Sequence, residues 1–180
     1  MNSTTILDGK ATAEAIRRQL KDEVAELVSR GVQPGLAVIL VGEDPGSVSY
    51  VRGKEQDCIE IGMKDMFHRF PAELPEADLL ALIGRLNGDP AVHGILVQLP
   101  LPKHINERKV IEAINPDKDV DGFHPMNVGR MLLGQDCFLP CTPHGVIRML
   151  EVWKIPTQGK HVVICGRSNI VGKPMIALLL

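Results

Sequence analysis

Apolar and polar positions along the chain follow two alternating rhythms. From Lys10 to Arg30, the residues Ala13, Ile16, Leu20, Val24 and Leu27 recur every three or four positions with charges between them, which predicts one amphipathic helix ending at Gly31. The run LAVILVG, residues 36–42, is apolar throughout and bounded by Pro34-Gly35 and Gly42. A strand apolar on both faces belongs inside a sheet covered on both sides. SVSYVRGKEQDCIEIG, residues 47–62, predicts a second helix: Pro45 and Ser47 suit its start, Gly62 suits its stop, and Val51, Cys58, Ile59 and Met63 supply an apolar stripe. Gly53 in its interior costs roughly 1 kcal/mol relative to Ala.

A strand around Met66 to Phe70 comes next, then helical spacing of Leu79, Leu82, Ile83 and Leu86 between Pro75 and Asn87. GILVQLP, residues 94–100, reads as a second buried strand stopped by Pro100 and Pro102. The text is loop-like from Gln135 until Pro143 opens a helix through Val146, Met149, Leu150 and Trp153. HVVICG, residues 161–166, reads as a strand of the most buried kind, running directly into GRSNIVGKPMIALLL. Strand and helix alternate throughout, which predicts an α/β fold with a parallel sheet, right-handed crossovers and helices on both faces. Ligands of such sheets sit beyond the carboxyl ends of the strands. Gln98 lies at one of these ends, either capping the strand edge or touching a site.

Composition narrows the choices. With aromatics at 3%, the core of this 180-residue chain must be aliphatic, which suits helices packed on parallel strands. A formal net charge of -2 offers no general attraction to phosphate backbones or anionic membranes, so nucleic acid is not expected as a main partner. The four cysteines form no CxxC and the six histidines no HExxH, so no metal site is expected and the thiols are read as reduced. The N-terminus has no basic segment followed by an apolar run, and no stretch approaches the ~18 apolar residues of a span. The expectation is a soluble cytoplasmic protein without a membrane partner.

Three stretches carry candidate chemistry. Tyr50 and Lys54 are four residues apart, so in a helix they share one face. A phenol supplies a flat ring and a hydroxyl, and an amine serves as acid or base once burial or a neighbouring cation tunes it; the plain alternative is a ring resting on a lysine stem. Asp117, Asp119, Asp121 and Gly122 fit the opening of a calcium loop, but the closing glutamate would fall at Val128, and calcium is rejected. A solvated turn or a carboxylate presented to a ligand with donor groups remains. Gly166 and Gly172 are separated by five residues, matching neither G-x-G-x-x-G nor the P-loop, which would not carry Lys173-Pro174. Strand, glycine turn and helix are nevertheless the parts of a phosphate-binding unit, in which Arg167 could hold a 2′-phosphate and Pro174 suits the first helical turn. A plain structural turn would accept the same residues.

Five blocks, SVSYVRGK (47–54), GILVQLPLP (94–102), PDKDVDGFHPMNVGR (116–130), PCTPHG (140–145) and GRSNIVGKP (166–174), occur in one order and cover the chain from end to end. In them the chain resembles the bacterial bifunctional methylenetetrahydrofolate dehydrogenase/methenyltetrahydrofolate cyclohydrolase family. The resemblance implies a folate-binding catalytic domain over residues 1–121, a connecting segment over 122–142 and the first part of a Rossmann-like NADP-binding domain over 143–180. It implies oxidation of 5,10-methylenetetrahydrofolate with NADP and hydrolysis of the product to 10-formyltetrahydrofolate in one cleft. Tyr50 would stack on the folate ring, Lys54 would be the catalytic amine of the hydrolytic step, Gln98 would position Lys54, and Asp121 would accept from the pterin amino and ring N–H groups. Cofactor binding would fall to Gly166, Arg167, Ser168, Val171, Gly172 and Pro174, with Arg167 and Ser168 on the 2′-phosphate. A homodimer through the cofactor domains, acting on tetrahydrofolate substrates in one-carbon metabolism and purine synthesis, is also implied.

Members of that family continue well past the position of Leu180, and a chain ending in ALLL leaves an apolar helix face with little sheet to cover. The expectation is a fragment of a longer protein. Two other readings stand beside this one. The first is a short-chain dehydrogenase using Tyr50 and Lys54 as Y-x-x-x-K, against which chain order counts because there the glycine turn comes first. The second is a folate- or nucleotide-binding module without turnover.

Overall fold

The computed structural model describes residues 4–180. The Asp8 carboxylate accepts from Ala11 N at 3.0 Å and caps α1, Gly9–Ser29. Beyond the end of α1, Gly31 turns the chain at φ +85°. The next stretch forms β1, Gly35–Val41, the centre of a three-stranded parallel sheet with order β2-β1-β3, in which β2 is Lys64–Phe70 and β3 is Gly94–Val97. In register, Val38 lies between Phe67 on one side and Leu96 on the other.

Two helices make the crossovers. From β1, α2, Pro45–Ile61, leads to β2; from β2, α3, Glu76–Gly88, carries the chain past β1 to β3. Crossovers of one hand that step in opposite directions place their helices on opposite faces. The period-2 alternation of β1 shows this. Ala37, Ile39 and Val41 pack with Leu79, Leu82 and Ile83 of α3, and with Val110 of α4, Glu107–Ala113. Val38 and Leu40 pack with Val51 of α2 and with Leu96. Each fully buried side chain of this kind stabilises by about 1.5–3 kcal/mol. The outer flank of α2 is covered by α1, where Arg17 pairs with Asp57 at 3.4 Å and Glu60 at 3.3 Å.

After α4, a single 3₁₀ turn, Pro116–Lys118, leads into Asp119, which pairs with Ile95 as one parallel rung on the free edge of β3. Two residues on, Asp121 comes level with the carboxyl end of that strand. The chain continues through α5, Pro125–Leu132, α6, Cys141–Val152, and α7, Gly172–Leu178.

Several elements differ from expectation. HVVICG, 161–166, is not a strand: it runs unpaired, with Val163 73% exposed. A strand exists only through a hydrogen-bonded neighbour, and among the described residues β1, β2 and β3 pair with one another and, at Ile95, with Asp119, but not with 161–166. The buried stripe of α2 is Ser47, Val51, Cys58 and Ile61, while Ile59, about 100° round the axis from Cys58, is 64% exposed. Leu20 of α1 is likewise exposed. β3 ends at Val97 rather than reaching Pro100, because proline has no N–H to extend a ladder. Short helices α4 and α5 occupy stretches in which no helix is expected, and α6 begins at Cys141, so Pro143 lies buried within its first turn rather than opening it.

Candidate active site

The chain steps from β1 to β2 on one side and reaches β3 on the other, so the order reverses between β1 and β3. A crevice opens beyond the carboxyl ends of the strands at such a reversal. Gln98 is the first residue after β3 and stands there, its N–H still bonded to Ile39 O at 2.9 Å. The amide is oriented by its own neighbour: Nε2 donates to Leu99 O at 2.7 Å, which leaves Oε1 to accept from Lys54 Nζ at 3.1 Å.

Lys54 is carried to this point by α2. Asp44 caps that helix, its Oδ2 accepting from Ser47 N at 2.8 Å and Ser47 Oγ at 2.9 Å, and these bonds hold the carboxyl below its ordinary value. Tyr50 lies one turn before Lys54 and is 70% exposed. Together with Ser49, Gly53, Lys54 and Asp57 it lines a surface pocket of about 260 Å³. A Cβ on Gly53 would meet nothing within 4 Å, so packing does not require glycine there. Its missing side chain leaves the space between ring and amine open.

Asp121 is half-buried in the turn that follows Asp119. Burial pushes its carboxyl up from 3.8, the Lys54 cation pulls it back, and Asp119 adds to the rise. Asp119 itself is 2% exposed, with Oδ2 accepting from His124 N at 2.8 Å and Asn127 Nδ2 at 2.9 Å. Gly122 stands at φ +64°, and a Cβ on it would come within 2.6 Å of Phe138 O and 2.8 Å of Leu139 C. That close approach brings the first residue of α6 to the site. Cys141 Sγ donates to Val120 O at 3.5 Å; desolvation, and then the charge of the Asp121 carboxylate, push the thiol up. Sequence reasoning missed Cys141. Its only signal was a cysteine at the start of a helix inside PCTPHG, and an isolated thiol suggests no role.

The glycine turn forms a second group. A Cβ on Gly172 would come within 2.5 Å of Gly166 O, so the turn folds back on itself. Ser168 Oγ accepts from Val171 N at 3.1 Å and Gly172 N at 3.3 Å, which leaves its hydroxyl hydrogen free to donate outward. Arg167 is exposed beside it and Pro174 is buried in the first turn of α7. A guanidinium and a hydroxyl on a tight turn fit an anion such as a phosphate. Lys54, Gln98 and Asp121 thus converge, with Tyr50 one turn away, whereas Gly166, Arg167, Ser168, Val171, Gly172 and Pro174 form their own cluster. A mostly apolar cavity of about 600 Å³ lies against α4 and α5, with Leu99, Ile111 and Phe123 and also Ile170 and Pro174 in its lining, but none of Tyr50, Lys54, Gln98 and Asp121. Among the described residues no group of three His, Cys, Asp or Glu is placed to hold a metal, and no helix is long and apolar enough to cross a membrane.

A parallel sheet whose switch point joins an amine, an amide and a carboxylate, followed by a tight glycine turn that opens a helix, defines a class of α/β proteins with a polar crevice at the carboxyl ends of the strands. Comparison with known families makes the assignment specific. Residues 7–121 match the profile described as tetrahydrofolate dehydrogenase/cyclohydrolase, catalytic domain, and residues 140–180 match the NAD(P)-binding domain of the same family. The chain belongs to the tetrahydrofolate dehydrogenase/cyclohydrolase family.

It is 59% identical over 175 residues to the bifunctional protein FolD of Geobacillus thermodenitrificans, a match covering 97% of this chain and 62% of that protein. The chain is also similar to the crystal structure of the bifunctional enzyme FolD from Campylobacter jejuni, with a TM-score of 0.96, 49% identity, and coverage of 98% of this chain and 63% of that one. The FolD structure of Trypanosoma brucei complexed with NADP cofactor and inhibitor gives a TM-score of 0.95 at 37% identity, covering 99% and 62%. The chain spans about three fifths of the length of the curated relatives it matches.

Proposed function

We propose that this chain handles a tetrahydrofolate in the crevice at Lys54, Gln98 and Asp121, oxidising 5,10-methylenetetrahydrofolate to the 5,10-methenyl form and hydrolysing that to 10-formyltetrahydrofolate. The observation that carries the reading is the 3.1 Å contact between Lys54 Nζ and Gln98 Oε1 beside the Asp121 carboxylate; family membership supports it.

Each residue has a task its chemistry suits. The exposed ring of Tyr50 offers a flat apolar face on which a pterin stacks. Asp121, acceptor-only when ionised, takes hydrogen bonds from the pterin amino and ring N–H groups and fixes the orientation of the ring. When bound, NADP supplies the hydride acceptor for the methylene carbon, and stacking geometry rather than a strong base governs that step. The 2′-phosphate falls to Arg167 and Ser168, with Gly166, Val171, Gly172 and Pro174 shaping the turn beneath it.

Hydrolysis needs proton transfers, and Lys54 supplies them. Water adds to the methenyl carbon, one of its protons passes by way of the Lys54 amine to the departing ring nitrogen as the C–N bond opens, and the second proton leaves to solvent. Gln98 keeps the amine aimed at that carbon.

In this reading residues 1–121 form the folate domain, 122–142 the connecting segment and 143–180 the first part of the cofactor domain, and the protein acts as a cytoplasmic homodimer serving purine synthesis. The test supplies the chain with methylenetetrahydrofolate and NADP and follows NADPH formation and methenyl hydrolysis separately. Lys54→Ala is expected to abolish hydrolysis; a fully active Lys54→Ala chain removes the assignment. Calorimetric folate binding without either turnover would instead favour a binding module.

A further inference from the structure

Asp121 belongs to no helix or strand, so something outside regular structure must hold it against the cost of ordering a turn, about 1–2 kcal/mol per residue. Two of its supports are built into the fold itself. Asp119 is paired inside the protein and rung to Ile95, and Gly122 is pressed on the chain at Phe138 and Leu139. The third support is a side chain. Lys118 Nζ donates to Leu86 O at 3.1 Å and to Asp89 O at 2.8 Å, reaching from the 3₁₀ turn to the last turn of α3 and to the residue that caps it.

The C-terminus of a helix is the negative end of its dipole, with carbonyls lacking intrahelical partners, and a lysine there is doubly favoured. Here α3 serves as a fixed post, because Leu79 and Ile83 are wholly buried against the sheet. The same helix end takes the other side of the turn: Asn115 N donates to Asn87 Oδ1 at 2.9 Å and Asn87 Nδ2 donates to Ala113 O at 2.8 Å. Lys118 is three residues from Asp121, has no carboxylate partner among the described residues, and makes no contact of its own with Lys54, Gln98 or Asp121.

We propose that Lys118 is a positioning residue for the folate site: by clamping the turn onto the end of α3 it sets the Asp121 carboxylate opposite Lys54 and Gln98. The inference rests on the reading that Asp121 grips a pterin. Loss of the clamp leaves the carboxylate free to wander, so ligand affinity suffers while Lys54, on another helix, keeps its geometry.

The test is calorimetric titration of the chain with tetrahydrofolate, for the parent and for Lys118→Met, Lys118→Arg and Lys109→Met. The last removes the exposed Lys109–Glu76 ion pair, 3.0 Å, elsewhere on the same scaffold. Lys118→Met is expected to weaken binding by about tenfold or more, as loss of two charge-assisted hydrogen bonds implies. Lys118→Arg, which keeps donors for both carbonyls, should restore it to within about threefold, and Lys109→Met should leave it unchanged. In methenyl hydrolysis the Met variant should raise KM with kcat little altered. If Lys118→Met does not fold, Lys118→Gln is read by the same criteria, and failure of both to fold assigns Lys118 to folding alone and overturns the proposal. Binding by Lys118→Met equal to the parent, or no recovery in Lys118→Arg, also overturns it while leaving the folate reading intact. A parent chain that does not bind tetrahydrofolate removes both.

Discussion

Gln98 presents its oxygen, not its nitrogen, to Lys54, because Nε2 is already committed to Leu99 O at 2.7 Å. The amide therefore acts only as an acceptor toward the amine, and removing it leaves the amine without an aim. Gln98→Ala is expected to lower methenyl hydrolysis by about 10²-fold or more while affecting NADP reduction less, the size expected when a proton-transfer group is misplaced. Separate assays of the two steps, with a far-ultraviolet check of folding, read this directly; undiminished hydrolysis would detach the contact from the chemistry.

Gly53 sets stability against function. Alanine there has open space around its Cβ and gains helix propensity, so Gly53→Ala should stabilise by up to about 1 kcal/mol and raise Tm by about 2–4 °C. The added methyl group narrows the pocket between Tyr50 and Lys54, and tetrahydrofolate affinity should fall. Thermal melts and titration on the same preparation check both halves.

Gly122 and Gly134 separate backbone strain from crowding. Both have φ near +65°, but only Gly122 has backbone atoms within 3 Å of a Cβ. Gly134→Ala should cost about 1 kcal/mol, the conformational part alone. Gly122→Ala should cost more than about 3 kcal/mol, because the 138–140 segment must move, and should displace Cys141 and Asp121 together. Denaturant midpoints for the two variants give the comparison.

The Asp121 carboxyl links folding to pH in a definite direction. Its folded value is raised above 3.8, mainly by burial, so the protonated form is favoured in the folded state. That contribution to stability is fully present below 3.8 and is lost as pH rises through the folded value. Asp121→Asn, which cannot ionise, should therefore stabilise the ligand-free chain at neutral pH relative to the parent, with the difference vanishing below 3.8. On the proposed reading it should also lose tetrahydrofolate binding, since there the pterin N–H groups donate to the ionised Asp121 carboxylate. Melts from pH 3 to pH 8 test the sign: a destabilised Asp121→Asn chain at pH 7 would contradict it.

Long, strongly periodic stretches were legible in the residues. α1, β1, α2 and α3 show their stripes or apolar runs over enough turns to be read, and Gly31 and Gly62 mark the ends of their helices. The misses have physical causes. At seven and eight residues α4 and α5 are too short to display a repeating stripe, and α5 buries a polar Asn127 where an apolar residue would be looked for. The run at 161–166 has the composition of a buried strand, but composition cannot supply the neighbour that makes one. Gln98 was readable from its place at a strand end. That Asp121 faces Lys54 was not readable from spacing, because the approach depends on the Asp119–Ile95 rung and the Gly122 close contact, and the resemblance alone suggested it. Asp119 was read only as part of a rejected calcium loop and Lys118 not at all, because an Asp/Lys-rich turn reads as solvated surface, whereas both side chains here are turned inward onto backbone and amide partners.

Consecutive residues of β1 steer opposite halves of the cleft. Val38 supports the helix that bears Lys54, and Ile39 supports the helix to which the Asp121 turn is fastened. A volume change at one shifts the amine, a change at its neighbour shifts the acid, and the spacing between the two groups is thus tunable from deep in the interior by adjacent aliphatic positions that never meet the ligand.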